Sequence, residues 1–112
     1  MINGINSREM ILEILLEIEE GEHSHVAIRN ALSKYQFLPK QDRAFITRVC
    51  EGTLEYRIQI DYIINSFSKV TVDKMKPAIR EILRSAVYQL KYMDSVPDSA
   101  VSVSYTHLTL PT

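Results

Sequence analysis

The sequence predicts an all-α domain, built as a bundle of amphipathic helices. Apolar residues recur at spacings of three and four from residue 6 to about residue 93, which is the period of an α-helix. Helix start and stop signals divide this stretch into five segments with short connections. No segment before residue 99 shows the alternating pattern of a half-buried strand. A chain of 112 residues has the length of one domain with a single core.

The first two helices are predicted from their ends and their apolar faces. Asn6 begins the first helix, and Glu9 follows three residues later in the arrangement of a capping box. Gly21 is expected to end this helix, and Ser24 is expected to cap the second. The predicted inward residues are Ile11, Leu12, Leu15, Leu16 and Ile18 in the first helix and Ile28, Ala31, Leu32 and Tyr35 in the second.

The third helix is predicted to carry Pro39 in its first turn, where a backbone N–H would be unpaired in any residue. Asp42 follows in the same turn, where the helix dipole favours a negative charge. Two explanations stay open for Gly52: a close approach of another helix, or a break in this one. The predicted inward face comprises Phe45, Val49, Gly52 or Thr53, and Tyr56.

The fourth helix is short and leads into a polar connection over residues 68–76. Pro77 opens the fifth helix. Beyond that helix, residues 94–98 predict a turn and the start of another helix. The predicted inward residues are Ile60, Ile63, Ile64 and Phe67 in the fourth helix and Ile79, Ile82, Leu83, Ala86, Val87 and Leu90 in the fifth.

Composition excludes several classes of protein. No stretch approaches the roughly 20 apolar residues needed to cross a bilayer, and the first residues lack the pattern of a signal peptide. A single cysteine cannot form an internal disulfide, which favours a reducing compartment. We therefore expect a cytoplasmic protein without membrane contact. Because the net charge is only −1, any nucleic-acid binding must depend on the local placement of cations.

The sequence offers no recognisable catalytic or metal site. Cys50 lies on a predicted helix, where a small half-buried packing residue is favoured over a nucleophile. His23 and His25 lack the further ligands of a metal site, and three separate glycines cannot make a phosphate-binding loop. Glu19 and Glu20 are interpreted as solvated charge. We therefore expect this chain to bind no cofactor or metal and to catalyse no reaction.

Basic residues are the stronger functional feature. Arg80 and Arg84 are four residues apart and share a helix face, and cations on one face can pair with phosphates. The alternative is ordinary ion pairing with Glu51, Glu55 and Glu81, and the residues alone leave both possibilities open. The candidate RNA-binding set comprises Arg43, Arg48, Arg57, Arg80 and Arg84.

The stretch from Leu38 to Arg57 resembles the signature of the NusB-like fold, as found at the N-terminus of RsmB-type (Sun, Fmu) ribosomal RNA cytosine-C5 methyltransferases. Later segments extend the likeness, which covers residues 7–101. The resemblance implies a NusB-like helical bundle that helps to position ribosomal RNA. In those enzymes it precedes a catalytic domain that uses S-adenosylmethionine and a pair of cysteines, and this chain has neither that domain nor the pair. The matching positions are Asp42, Arg43, Phe45, Arg48, Gly52, Thr53, Leu54, Arg57, Ile79, Ile82, Leu83, Arg84, Tyr88, Gln89, Leu90, Met93, Asp94, Val96 and Pro97.

Two alternatives stand beside this interpretation. One is the transcription antitermination factor NusB, a stand-alone RNA binder that partners a ribosomal protein. Its arginine-rich N-terminal arm is absent here, since Arg8 is the only cation before Arg29, and this favours the methyltransferase branch. The other is a helical domain that binds protein only. The expected partners are ribosomal RNA and either a covalently linked methyltransferase domain or a ribosomal or transcription protein.

The C-terminal segment departs from the rest of the chain. Residues 99–112 contain no charged side chain, and both the helical period and the family likeness are lost at about Ser102. We therefore predict a NusB-like RNA-binding domain over residues 1–101 and a non-native or disordered tail over residues 102–112. Such a domain would be truncated at its C-terminal helices, leaving apolar surface of the third and fifth helices exposed.

Overall fold

The structure, a computed structural model, describes residues 6–93 of the chain. Within that range it contains five α-helices, one 3₁₀ turn and no strand, which confirms the predicted all-α fold. The predicted turn at residues 94–98 and the predicted tail at residues 102–112 lie outside the described residues. The helices are α1 (Ser7–Glu19), α2 (Ser24–Lys34), α3 (Lys40–Glu55), α4 (Arg57–Phe67) and α5 (Pro77–Tyr92), with the 3₁₀ turn at Val72–Lys74.

The ends of α1 follow the sequence closely. The Asn6 side-chain oxygen accepts a hydrogen bond from the Glu9 backbone N–H at 2.8 Å, which confirms the predicted N-terminal cap. Gly21 follows the helix with a φ of 113°, a conformation that glycine adopts without steric cost. Ser24 was expected to cap α2, but it is the first helical residue, and His23 occupies the cap position without a side-chain bond.

The core forms where α1 packs against α2, α3 and α5. Helix α4 closes the bundle by packing on α5 and α3. Each large apolar side chain buried there stabilises the fold by about 1.5–3 kcal/mol relative to exposure. The fully buried side chains are Met10, Ile11, Ile14 and Leu15 from α1, Ile46, Val49, Cys50 and Thr53 from α3, and Ile60 and Ile64 from α4.

Gly52 marks a close approach between helices. Helix α3 continues unbroken through this residue, and a Cβ atom added to it would overlap the ring of Tyr88 on α5. The close-approach explanation of Gly52 is therefore correct, and the helix-break explanation is wrong. The Tyr88 ring also stacks with Tyr56 and Tyr92, whose centroids lie 6.3 and 5.7 Å away.

Helix α5 buries a different face from the one that the sequence predicts. Ile79 and Ile82 were predicted to face inward, but they are 49% and 48% exposed. The buried positions are instead Glu81, Arg84 and Tyr88. Burial of this face is possible because Arg84 is paired with the carboxyl groups of Asp61 and Glu81 inside the bundle, so its guanidinium is not buried without a partner.

Exposed apolar surface occurs on α4 and α5. Ile58 and Tyr62 on α4 are 83% and 77% exposed, and Phe67, predicted to face inward, is 65% exposed. Within the part of the chain that the structure describes, large apolar side chains are thus exposed on α5 and not on α3. Truncation of the domain as the cause of such exposure stays a prediction. None of the helices described over residues 6–93 combines the length and apolar character needed to span a bilayer.

Candidate nucleic-acid interface

A groove of about 570 Å³ runs along the outer face of α3. Its lining residues recur at spacings of three and four, so successive turns of one helix form one continuous surface. Gly52 and Tyr88 lie at its α5 side, where the missing Cβ lets the two helices approach. The charged and polar residues of the groove are Lys40, Arg43, Thr47, Arg48, Glu51 and Glu55.

Charge is distributed unevenly along this groove. The cations Lys40, Arg43 and Arg48 belong to its N-terminal half, and the carboxylates Glu51 and Glu55 belong to its C-terminal half. The N-terminus of α3 adds a partial positive charge at the basic end, because the first backbone N–H groups of a helix have no partner within it. The basic end is therefore the part of the groove suited to an anion.

Arg43 has a structural role in addition to lining the groove. It is half-buried, and its Nη1 donates to the carbonyl oxygens of Leu32 at 3.1 Å and Tyr35 at 3.3 Å. These carbonyls lie at the C-terminal end of α2, where helix carbonyls lack intrahelical partners. Arg43 thus joins α3 to the end of α2. Among residues 6–93, its other guanidinium nitrogens have no hydrogen-bond partner.

Lys40 and Arg48 are the exposed cations of the groove. Neither has a carboxylate within 4.0 Å among the described residues, although Glu51 lies one turn after Arg48. The expected alternative, in which Arg48 is neutralised by a surface ion pair, is not the arrangement seen. Both side chains can reach a ligand in the groove without first breaking an ion pair.

Arg57 is the first residue of α4 and is exposed. It lies outside the groove lining, because the chain turns at Tyr56 between α3 and α4. It too lacks a carboxylate partner within the described part of the chain. Arg57 is therefore a free cation near the acidic end of the groove and is not a member of the basic cluster.

Arg80 and Arg84 lie elsewhere, in a cluster of charged side chains between α1, α4 and α5. Arg80 contacts Glu19 through two nitrogens at 2.8 and 2.6 Å. Arg84 contacts Asp61 in the same bidentate manner at 2.7 and 2.8 Å. The predicted shared helix face of these arginines is correct, but their donors bond internal carboxylates. RNA contact by any of the five candidate arginines stays a prediction. The structure brings Arg43 and Arg48 together in the groove, and Arg80 and Arg84 together in the separate charged cluster.

Two of the three carboxylates of this cluster, Glu19 and Asp61, were missed by sequence reasoning, whereas Glu81 was named as an ion-pair partner. Glu19 was interpreted as solvated charge, but its side chain is only 16% exposed, and hydrogen bonding by Arg80 lowers its pKa from 4.5 to about 2. Asp61 was not singled out at all. The one local signal is Glu81, which lies three residues before Arg84 and bonds it at 2.7 Å.

Nucleophilic chemistry has no support among the described side chains. Cys50 is completely buried, and this burial raises the pKa of its thiol from 9.0 to about 12, so the reactive thiolate is disfavoured. His23 and His25 are exposed and lie near each other, with ring centroids 6.1 Å apart. Residues 6–93 contain no group of three side chains able to hold a metal ion.

Comparison with known proteins places the chain among RNA-associated relatives. The profile of the NusB family matches residues 5–109. The match continues past residue 101 into the segment predicted to be non-native, and that boundary stays a prediction.

A probable ribosomal RNA small subunit methyltransferase B of Bacillus subtilis is 30% identical over 93 residues, which are 83% of this chain and 21% of the relative. Its counterpart in Synechocystis is 33% identical over 97 residues, or 86% of this chain and 22% of the relative.

The chain spans about a fifth of the length of these two relatives. A transcription antitermination protein NusB of Desulforamulus reducens is 31% identical over 100 residues, which are 88% of this chain and 68% of that protein. No solved structure gives a significant match to the chain.

Proposed function

The chain belongs to the NusB family, and from this premise we propose that it is an RNA-binding domain that positions RNA and catalyses no reaction itself. More specifically, it serves as the N-terminal domain of a ribosomal RNA (cytosine-C5) methyltransferase. The S-adenosylmethionine cofactor of such an enzyme would be bound by its catalytic domain, outside this chain.

The observation that carries the RNA-binding proposal is the basic end of the α3 groove. Lys40 and Arg48 are exposed there without carboxylate partners among residues 6–93, and Arg43 lies beside them. Phosphate contacts by such side chains release counterions and make binding strongly dependent on salt. The groove follows one helix face, so it can contact a short length of RNA backbone.

The methyltransferase assignment rests on the first helix and on the relatives. Helix α1 is acidic, with Arg8 as its only cation, so it offers little to an RNA backbone. The two methyltransferases match over about a fifth of their length, as expected for one domain of a longer protein. The antitermination factor is the second candidate, because the chain spans 68% of that relative. Reading the gene beyond codon 112 separates the two, since only a methyltransferase continues into a glycine-rich cofactor-binding domain.

RNA binding is tested by removing the two free cations together. We expect K40Q/R48Q to weaken binding of the full chain to a small-subunit ribosomal RNA transcript roughly tenfold, and to lower the slope of log affinity against log salt by about 2. Fluorescence anisotropy at several salt concentrations measures both quantities.

The matched control is K69Q/K74Q, which removes the same charge from exposed positions in the α4–α5 connection. Circular dichroism checks that both variants remain helical. If K40Q/R48Q and K69Q/K74Q weaken binding equally, the groove is not the contact surface. If the unmodified chain does not bind the transcript in low salt, the RNA-binding proposal itself is wrong.

A further inference from the structure

The charged cluster between α1, α4 and α5 contains an unequal number of acidic and basic groups. Its members are the carboxyls of Glu19, Asp61 and Glu81 and the guanidiniums of Arg80 and Arg84. Arg80 neutralises Glu19 through two short contacts, and Arg84 neutralises Asp61 in the same way. With all five groups ionised, the cluster would carry one uncompensated negative charge.

Glu81 is the carboxyl left without a cation of its own. It is 3% exposed and therefore the most deeply buried acid of the cluster. Its contact with Arg84 is made through Nη1 at 2.7 Å, and the same nitrogen lies 3.7 Å from Glu19. Two carboxyl groups thus approach one nitrogen whose guanidinium is already committed to Asp61. Burying a second carboxylate there without a second cation is costly.

Charged and titratable groups reach this cluster from every packed element. Helix α1 contributes Glu19, α4 contributes Asp61, and α5 contributes Arg80 and Arg84 beside Glu81. Helix α3 contributes the buried Cys50 thiol, whose pKa is raised in part by the negative charge of Glu81. Asp73 of the 3₁₀ turn lies near Arg80. Among residues 6–93, Arg80 and Arg84 are the only cations of the cluster, so no additional cation within that range pairs with Glu81.

We propose that the cluster retains one proton in weakly acidic solution, held on Glu81 and donated to Glu19, and that loss of this proton as the pH rises through neutrality weakens the attachment of α1 to α5. With that proton, the five groups are neutral in sum and each carboxyl oxygen facing the cluster has a donor or a cation. Without it, Glu19 and Glu81 repel each other across the α1–α5 contact. The cluster is then a proton-dependent clasp between these helices.

The titration of the two glutamates agrees with this arrangement. Burial, together with hydrogen bonding to Glu19, raises the pKa of Glu81 from 4.5 to about 7, although the charge of Arg84 acts in the opposite direction. The folded state therefore holds the proton more tightly than the unfolded chain, and stability from Glu81 falls as pH rises from 4.5 through about 7. Glu19 acts in the opposite sense, because its lowered pKa gives stability that is lost only as pH falls from 4.5 toward 2. The two effects together place maximum stability near pH 5.

Unfolding by urea at several pH values tests the clasp in the full chain. We expect the unfolding equilibrium constant of the unmodified protein to rise by roughly one to two orders of magnitude between pH 5 and pH 8. Glu81→Gln should remove most of that rise, because a glutamine can still donate to Glu19 but cannot ionise. Glu13→Gln, an exposed position on α1, is the matched control and should keep the full rise.

A direct titration keeps the test decisive if Glu81→Gln does not fold. Carbon-13 NMR of the glutamate carboxyls in the unmodified protein should show one resonance, assigned to Glu81, that titrates near pH 7. If Glu81 titrates near its ordinary value of 4.5, the proposal is wrong. An equal pH dependence in Glu81→Gln and the unmodified protein would contradict it as well. Neither result bears on RNA binding, because the α3 groove does not include this cluster.

Discussion

Gly52 and Tyr88 show at the scale of single residues how one absent side chain determines a helix contact. The Tyr88 ring lies where a Cβ on Gly52 would be. Inside a helix a glycine costs about 1 kcal/mol relative to alanine, and here that cost is offset by the burial of an aromatic ring, which is 6% exposed at the residue level. The same ring forms the α5 side of the candidate groove.

Gly52→Ala should therefore destabilise the protein although alanine is the better helix former. We expect a loss of about 1–3 kcal/mol in the free energy of unfolding, because the new methyl group must displace the Tyr88 ring. A double-mutant cycle measured by urea denaturation supplies the control. With Tyr88→Ala already present, Gly52→Ala should cost nothing or stabilise. Equal costs in both backgrounds would show that the ring is not the obstacle.

At the scale of helices, the α-helices do not all begin in the same way. Helix α1 uses the Asn6 side chain as a cap, and α5 begins with Pro77, whose missing N–H is harmless there. Helix α2 has no side-chain cap bond at all. It is supported at its other end by Arg43, which bonds the Leu32 and Tyr35 carbonyls from α3. Helix α2 is thus more dependent than α1 on its neighbours.

Asn6→Ala should lower the free energy of unfolding by about 1 kcal/mol, because the Glu9 N–H loses its acceptor at the start of α1. Asn30→Ala is a suitable control. Asn30 is exposed within α2, where alanine is the better helix former and should be neutral or slightly stabilising. Thermal unfolding followed by circular dichroism measures both. Identical midpoints for the two variants would mean that the Asn6 bond contributes nothing in solution.

At the scale of the whole molecule, the described residues 6–93 bury one continuous core but leave apolar side chains exposed on α4 and α5. Ile58 and Tyr62 are exposed on α4, and Ile79 and Ile82 are exposed on α5. Exposed apolar surface of this kind favours association with other protein surfaces. The charged cluster, by contrast, is largely buried between three helices. The molecule therefore buries charged side chains while it exposes apolar ones.

Replacing the α4 pair should therefore reduce self-association without unfolding the protein. We expect I58Q/Y62Q to change the free energy of unfolding by no more than about 0.5 kcal/mol, as is usual for exposed positions, while lowering the apparent mass at high protein concentration. Sedimentation velocity over a concentration series measures the second effect. Ile60→Gln, at a completely buried position of the same helix, should unfold the protein. If I58Q/Y62Q associates as strongly as the unmodified chain, this face of α4 does not mediate self-association.

Sequence by itself determined the features that depend on a few neighbouring residues. The helical period, the Asn6 cap, the Gly21 stop and the Pro77 start were all predicted correctly, because each depends on backbone groups within one or two turns. Arg43 and Arg48, five residues apart in the sequence, both lie on α3 and line its groove. The resemblance to the family could also be recognised from the sequence, because its signature lies in one continuous stretch that includes α3.

Only the tertiary structure decided which charges are free and which face of α5 is buried. Arg80 meets a carboxylate 61 residues away and Arg84 meets one 23 residues away, and no local pattern encodes such pairings. Once those partners are present, Glu81 and Arg84 can be buried at a tolerable electrostatic cost, and Ile79 and Ile82 turn outward. The physical reason is that the cost of burying a charged side chain depends on the partner that it meets in the folded structure. A hydrophobic pattern takes account only of the polarity of each residue and not of such partners.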